Sequence, residues 1–117
     1  MKKLFQYHKK SFGYAFTGLK TLFRSEHNMS VHLIASILAG AMGWWRAFDV
    51  VKWSILVGII AMVWMAEAFN TAIERLCDVV SKEYHPVIKQ VKDISSAAVL
   101  IVAMAAVIMG LLLFLSH

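Results

Sequence analysis

The sequence predicts an all-α membrane protein: an N-terminal amphipathic helix lying in the interface, followed by three transmembrane helices. Three observations predict it. The 117 residues are 60% hydrophobic and 16% charged, and the mean hydropathy is +0.66, far above that of a soluble domain of this length. Three stretches are nearly free of charge: residues 29–48 as far as Arg46, residues 50–66 apart from Lys52, and residues 94–115 throughout. The lysines and arginines cluster between these stretches, where lipid head groups would meet them.

In residues 1–25, Phe5, Phe12, Phe16, Leu19 and Phe23 recur on one helical face while Lys3, Lys10, Thr17 and Arg24 recur on the other. That pattern suits a helix with aromatics at the acyl boundary and lysines towards phosphates. A signal peptide is rejected because lysines interrupt its apolar core. Glu26, His27 and Asn28 form a polar hinge. The first span, 29–48, is about 30 Å of helix, one hydrocarbon thickness. It ends in Trp44, Trp45 and Arg46, a head-group boundary. Ala35, Ala39, Gly40 and Gly43 offer a neighbouring helix close approach. His32 and Ser36 are expected to make local hydrogen bonds to backbone or to another helix.

Asp49 is placed to N-cap the second helix, 50–80, which extends beyond the membrane. Residues 81–91, with the single proline Pro86, read as a cytoplasmic loop. The third span is 94–115, with Asp93 a possible cap. Of twelve lysines and arginines, only Arg46 and Lys52 lie on the far side, so the N-terminus and the 81–91 loop are cytoplasmic. The net charge of +5 is explained by topology and anionic lipid, so no nucleic-acid partner is expected. The lone Cys77 excludes an intrachain disulfide and leaves no zinc-type cluster.

Glu67, Asn70, Glu74 and Asp78 fall within an arc of roughly 60° on the second helix. Ionisable groups bordering a span usually mark a working site, although a wet helical extension would look similar. Glu26 and Glu74 could hold a hard cation such as magnesium, which bridges substrate phosphates. Lys92 could stabilise phosphate charge, and Glu67 could take a proton from an alcohol whose hydrocarbon remains in the bilayer. Together these parts describe phosphoryl transfer. The chain has no P-loop, kinase H-R-D set or dinucleotide fingerprint. Three helices enclose little interior, so a second copy is expected to complete the site.

The ordered set Glu67-Ala-x-Asn70-Thr-Ala-Ile-Glu74-x-x-x-Asp78, Glu83-Tyr-His85 and Lys92-Asp93-x-x-Ser96-Ala-Ala-Val resembles the signature of the small prokaryotic diacylglycerol kinase family, which includes undecaprenol kinases. The resemblance, which also takes in Gly18 and Glu26, implies a homotrimer with active sites shared between chains. It implies transfer of phosphate from ATP, with Mg2+, to a lipid hydroxyl at the bacterial cytoplasmic membrane. By it Glu67 matches the catalytic base, and Glu26 and Glu74 the metal and ATP ligands. Tyr14, Glu83, His85, Lys92 and Asp93 match nucleotide contacts, Asn70 and Ser96 positions near the base and lipid, and Lys10 an amino-terminal basic contact. Tyr7 falls where that pattern would have arginine.

Each assignment has a structural alternative. Asn70 could serve only as an interhelical hydrogen-bonding group. Asp78 is expected to cap the helix or to pair with Arg75 or Lys82. The stretches Glu26-His-Asn-Met-x-x-His32-Leu and Ser81-x-Glu-Tyr-His-Pro86 resemble the undecaprenol kinase branch, which favours undecaprenol over diacylglycerol as substrate. A non-catalytic membrane scaffold or small transporter is the reading from another functional class.

Overall fold

The computed structural model describes residues 1–116, with the side chain of residue 27 left aside. Among these residues it contains four helices and no strand: α1 Lys2–Ser25, α2 His27–Trp45, α3 Val50–Val80 and α4 Pro86–Leu115. α3 and α4 are each long and apolar enough to cross a membrane. α2 is shorter, at 19 residues, and less apolar, because Asn28, His32, Ser36 and two glycines dilute its aliphatic side chains.

α1 is held at its carboxyl end, where Leu22 is buried, while Phe5, Phe12 and Phe16 are uncovered. The molecule measures 51 × 47 × 22 Å. A helix bundle about 20 Å across cannot supply two such long dimensions, so α1 projects sideways from it. The hydroxyls of Thr17, Thr21 and Ser25 each donate to the carbonyl four residues back, at 2.9, 3.0 and 2.7 Å. Those bonds lower the cost of placing hydroxyls near an apolar phase.

The α2–α3 connection is a Schellman turn. The Phe48 N–H reaches the Gly43 carbonyl at 3.0 Å and the Ala47 N–H reaches that of Trp44 at 3.1 Å, while Ala47 takes the left-handed conformation at φ 53°. Phe48 folds back over Gly43, where an added Cβ would lie 3.0 Å from both the Phe48 and Trp53 rings. Gly40, by contrast, meets no neighbour within the chain. Asp49 caps α3 as expected, its Oδ1 accepting from the Lys52 N–H at 2.9 Å. Phe48, Leu56, Ile59 and Leu113 form the core at this end.

The expected loop 81–91 is only five residues long, 81–85, and α4 begins at Pro86 rather than at 94. Proline suits the first helical turn because its missing N–H has no intrahelical partner to lose. His85 then caps the helix, its Nδ1 accepting from the Val87 N–H at 3.1 Å. Asp93 is therefore no cap. It lies inside α4 and pairs with Lys89 one turn earlier at 2.7 Å.

Ala47→Gly should stabilise the protein by about 1 kcal/mol, because glycine removes the left-handed penalty at a small cost in unfolded-state entropy. Thermal unfolding in detergent measures it, and a variant no more stable than the parent would contradict the turn geometry.

Candidate active site

Glu67 is the most enclosed charged side chain among the described residues, at 4% exposed. It lies on α3 where α2 crosses, and its Oε2 is 3.5 Å from Nε2 of half-buried His32. One turn away the same two helices are fastened again. Trp64 Nε1 donates to Ser36 Oγ at 3.0 Å, and Ser36 Oγ donates to the His32 carbonyl at 2.7 Å. The Trp64 ring meets Phe23 edge-on, 5.5 Å between centroids, which brings the end of α1 to the same place. Ser36 thus makes the local and interhelical bonds expected of it, while the His32 ring faces the carboxylate.

One turn beyond Glu67 the partner changes. Asn70 Oδ1 accepts from Ser95 Oγ of α4 at 2.7 Å. Its neighbour Ser96 is exposed. On a helix already running at Pro86, Ser95 is one turn from Lys92 and shares its face, and both reach α3. Asp78 accepts from Lys92 Nζ at 2.8 Å, rather than pairing with Arg75 or Lys82. The polar stripe of α3 is therefore divided, with Glu67 serving the α2 seam and Asn70 and Asp78 the α4 seam.

Tyr14 and Gly18 of α1 line a groove of about 580 Å³ together with Thr71 and Arg75 of α3. Thr71 Oγ1 is buried there without a hydrogen-bond partner among the described residues. A buried orphan hydroxyl costs on the order of 1–3 kcal/mol unless something bonds to it. Composition gave no sign of it, since threonine in a helix ordinarily bonds back to its own turn.

Glu26 occupies the break between α1 and α2 in extended conformation, at φ −114° and ψ 111°, and is half-buried, as is Glu74. Lys10 and Glu83 are exposed. The capping bond to His85 Nδ1 leaves that ring's Nε2 as its available nitrogen. Lys92 is held above the usual lysine range first by the hydrogen bond it donates to Asp78, partly offset by desolvation, with weaker coulombic help from Asp78, Cys77 and Glu74. Glu74, Asp78 and Lys92 therefore form one electrostatic cluster where α3 meets α4.

Residues 13–114 match the family described as prokaryotic diacylglycerol kinase. The chain is similar to an undecaprenol kinase of Bacillus subtilis (strain 168), 33% identical over 106 residues covering 91% of this chain and 86% of that protein. It is equally similar to a diacylglycerol kinase of Escherichia coli (strain K12), 33% identical over 108 residues covering 92% and 88%. A diacylglycerol kinase of Helicobacter pylori (strain 26695) is 30% identical over 100 residues, 86% and 75%.

The Asp78–Lys92 bond has a pH signature. A lysine raised on folding contributes stability that is complete below its unfolded pKa of about 10.4 and is lost as pH rises through the higher folded value. The difference in melting temperature between the parent and Asp78→Asn should thus be full near neutral pH and close in strong alkali. A difference that stays constant to about pH 11.5 would exclude the pair as its source.

Proposed function

The chain belongs to the prokaryotic diacylglycerol kinase family, and from that premise we propose that it transfers the γ-phosphate of ATP to a membrane lipid alcohol, with undecaprenol as the substrate. The observation that carries the reading is the buried Glu67 on a helix whose preceding turns are apolar. A carboxylate so placed can meet a hydroxyl whose hydrocarbon remains in the bilayer. Glu67 takes the hydroxyl proton as the lipid oxygen bonds to the γ-phosphorus. The bond from that phosphorus to the bridging oxygen breaks, its electron pair leaves with ADP, and the product is a lipid monophosphate.

The residues present suit Mg2+. Glu26 and Glu74 are half-buried, and among the described residues neither pairs with a lysine or arginine. No three histidine, cysteine or carboxylate side chains converge among the described residues. Such a donor set suits a cation that takes one or two carboxylates and completes its shell with phosphate and water. When bound, Mg2+ would neutralise charge on the nucleotide phosphates. Tyr14, Glu83, His85, Lys92 and Asp93 are assigned to the nucleotide, Asn70 and Ser96 to the surroundings of base and lipid, and Lys10 to an amino-terminal contact.

Supported by the uncovered apolar surfaces of all four helices and by the division of the site between two seams, the reading extends to a homotrimer with active sites completed by neighbouring chains. α2 is then the first of three spans and α1 the interfacial helix. In this reading the amino terminus and the site face the cytoplasm, which the lysine and arginine distribution supports. Diacylglycerol is the competing acceptor, and it rests on the equal identity to relatives of both names.

Purified protein in lipid with Mg2+ and labelled ATP, offered undecaprenol and diacylglycerol in parallel, should label the polyprenol preferentially. Preference for diacylglycerol would replace the substrate. Label in neither lipid would favour a scaffold or transporter. Glu67→Gln should lower transfer by about 10²–10⁴-fold, the usual contribution of a general base, while nucleotide affinity stays within a few-fold. Glu74→Gln should instead weaken Mg2+-dependent ATP binding by about tenfold or more, read by equilibrium binding. Co-assembly of inactive Glu67→Gln and Lys92→Ala chains should restore activity if the two residues of one site come from different subunits. No rescue would place both in one chain.

A further inference from the structure

We propose that His32 is the positioning residue for Glu67, its imidazole N–H orienting the carboxylate towards the incoming alcohol. This rests on the reading of Glu67 as the base. Four observations carry it. Nε2 of His32 lies 3.5 Å from Oε2 of Glu67, and the two side chains are 24% and 5% exposed. That separation is slightly longer than a formed hydrogen bond, as catalytic contacts commonly are before substrate is bound.

The second observation is that the pair cannot slide apart. The Trp64–Ser36 bond lies one turn from it on both helices, one turn before Glu67 on α3 and one turn after His32 on α2. The antiparallel register of the two helices places His32 opposite Glu67, and a shift by one residue would break the Trp64–Ser36 bond. Ser36 also bonds to the His32 carbonyl, which fixes the turn of α2 that carries the ring.

Third, among the described residues His32 is the one ionisable side chain within 4 Å of the carboxylate. Asn70 is engaged by Ser95 and Asp78 by Lys92, so two of the other polar groups of the stripe are bonded away from Glu67. A carboxylate enclosed to this degree needs a donor, because an unpaired buried charge is strongly disfavoured.

The fourth is His32's second contact. It lines an apolar cleft of about 300 Å³ walled by aliphatic and aromatic residues such as Leu56, Ile59, Val63 and Phe114, with small residues such as Ala39 and Gly110 between them. The imidazole separates this cleft, which suits hydrocarbon, from the carboxylate, which suits the hydroxyl. A side chain at that boundary sets the carboxylate's direction without taking a place in the reaction.

Two substitutions separate positioning from packing. His32→Leu fills the volume with a side chain suited to an apolar seam but removes the donor, whereas His32→Gln keeps a donor. His32→Leu should lower kcat by about 10–100-fold, the range for groups that orient a reacting residue, with KM for ATP within about twofold of the parent. His32→Gln should keep kcat within about fivefold. Infrared spectra, with the Glu67 carboxylate band identified by subtraction against Glu67→Gln, should show that band shifted in His32→Leu and retained in His32→Gln. A His32→Leu variant that matches the parent in kcat and band position would overturn the proposal, as would loss of kcat and band position in both variants alike. An inactive parent whose band still responds to His32→Leu would remove the kinase reading and leave the pairing standing.

Discussion

A carboxylate held inside an apolar seam is the constraint on which the rest of this structure depends. Glu67 follows sixteen apolar or small residues and a lone lysine on α3, and its neighbours must offset a desolvation cost of several kcal/mol. His32 faces it from α2, and the Trp64–Ser36 bond locks the register that keeps the two opposite each other. The edge contact of Phe23 on Trp64 and the burial of Leu22 bring the end of α1 to that same meeting of helices.

The two ends of the molecule are stabilised by different physics. At the end carrying the α2–α3 turn, Phe48 closes over Gly43 and packs with Leu56, Ile59 and Leu113, while Arg46 and Lys52 both donate to the Ser116 carbonyl at 3.4 and 3.1 Å. Two cations at the carboxyl end of α4 also complement the helix dipole. At the other end, polar pairs join α3 to α4, and the cluster of Glu74, Asp78 and Lys92 remains open to solvent. A packed end fixes the helix angles. An open, charged end leaves room for an ionic substrate.

Much of the candidate site was legible in the residues. The periodicity of Glu67, Asn70, Glu74 and Asp78 marked the polar stripe of α3, and the structure gives three of these four residues partners on other helices. What periodicity could not give was the identity of each partner. Asp78 has lysine and arginine neighbours at favourable local spacing, yet it bonds to Lys92, fourteen residues away, because α4 lies alongside α3 there. Ser95 and Ser96 are equivalent by composition, and only the rotation of α4 distinguishes the one that meets Asn70.

The sequence by itself determined the membrane class, the capping of α3 by Asp49, the amphipathic character of α1 and the family, because these follow from local pattern and from ordered motifs. Tertiary structure decided where α4 begins, since a short polar segment is loop or helix according to whether a cap and a neighbouring helix support it. It also decided which face of each helix meets which, and so joined His32 to Glu67 across thirty-five residues of chain. The reason is geometric. Spacing along a helix fixes the relative directions of its side chains, but only the crossing of a second helix selects which direction is buried.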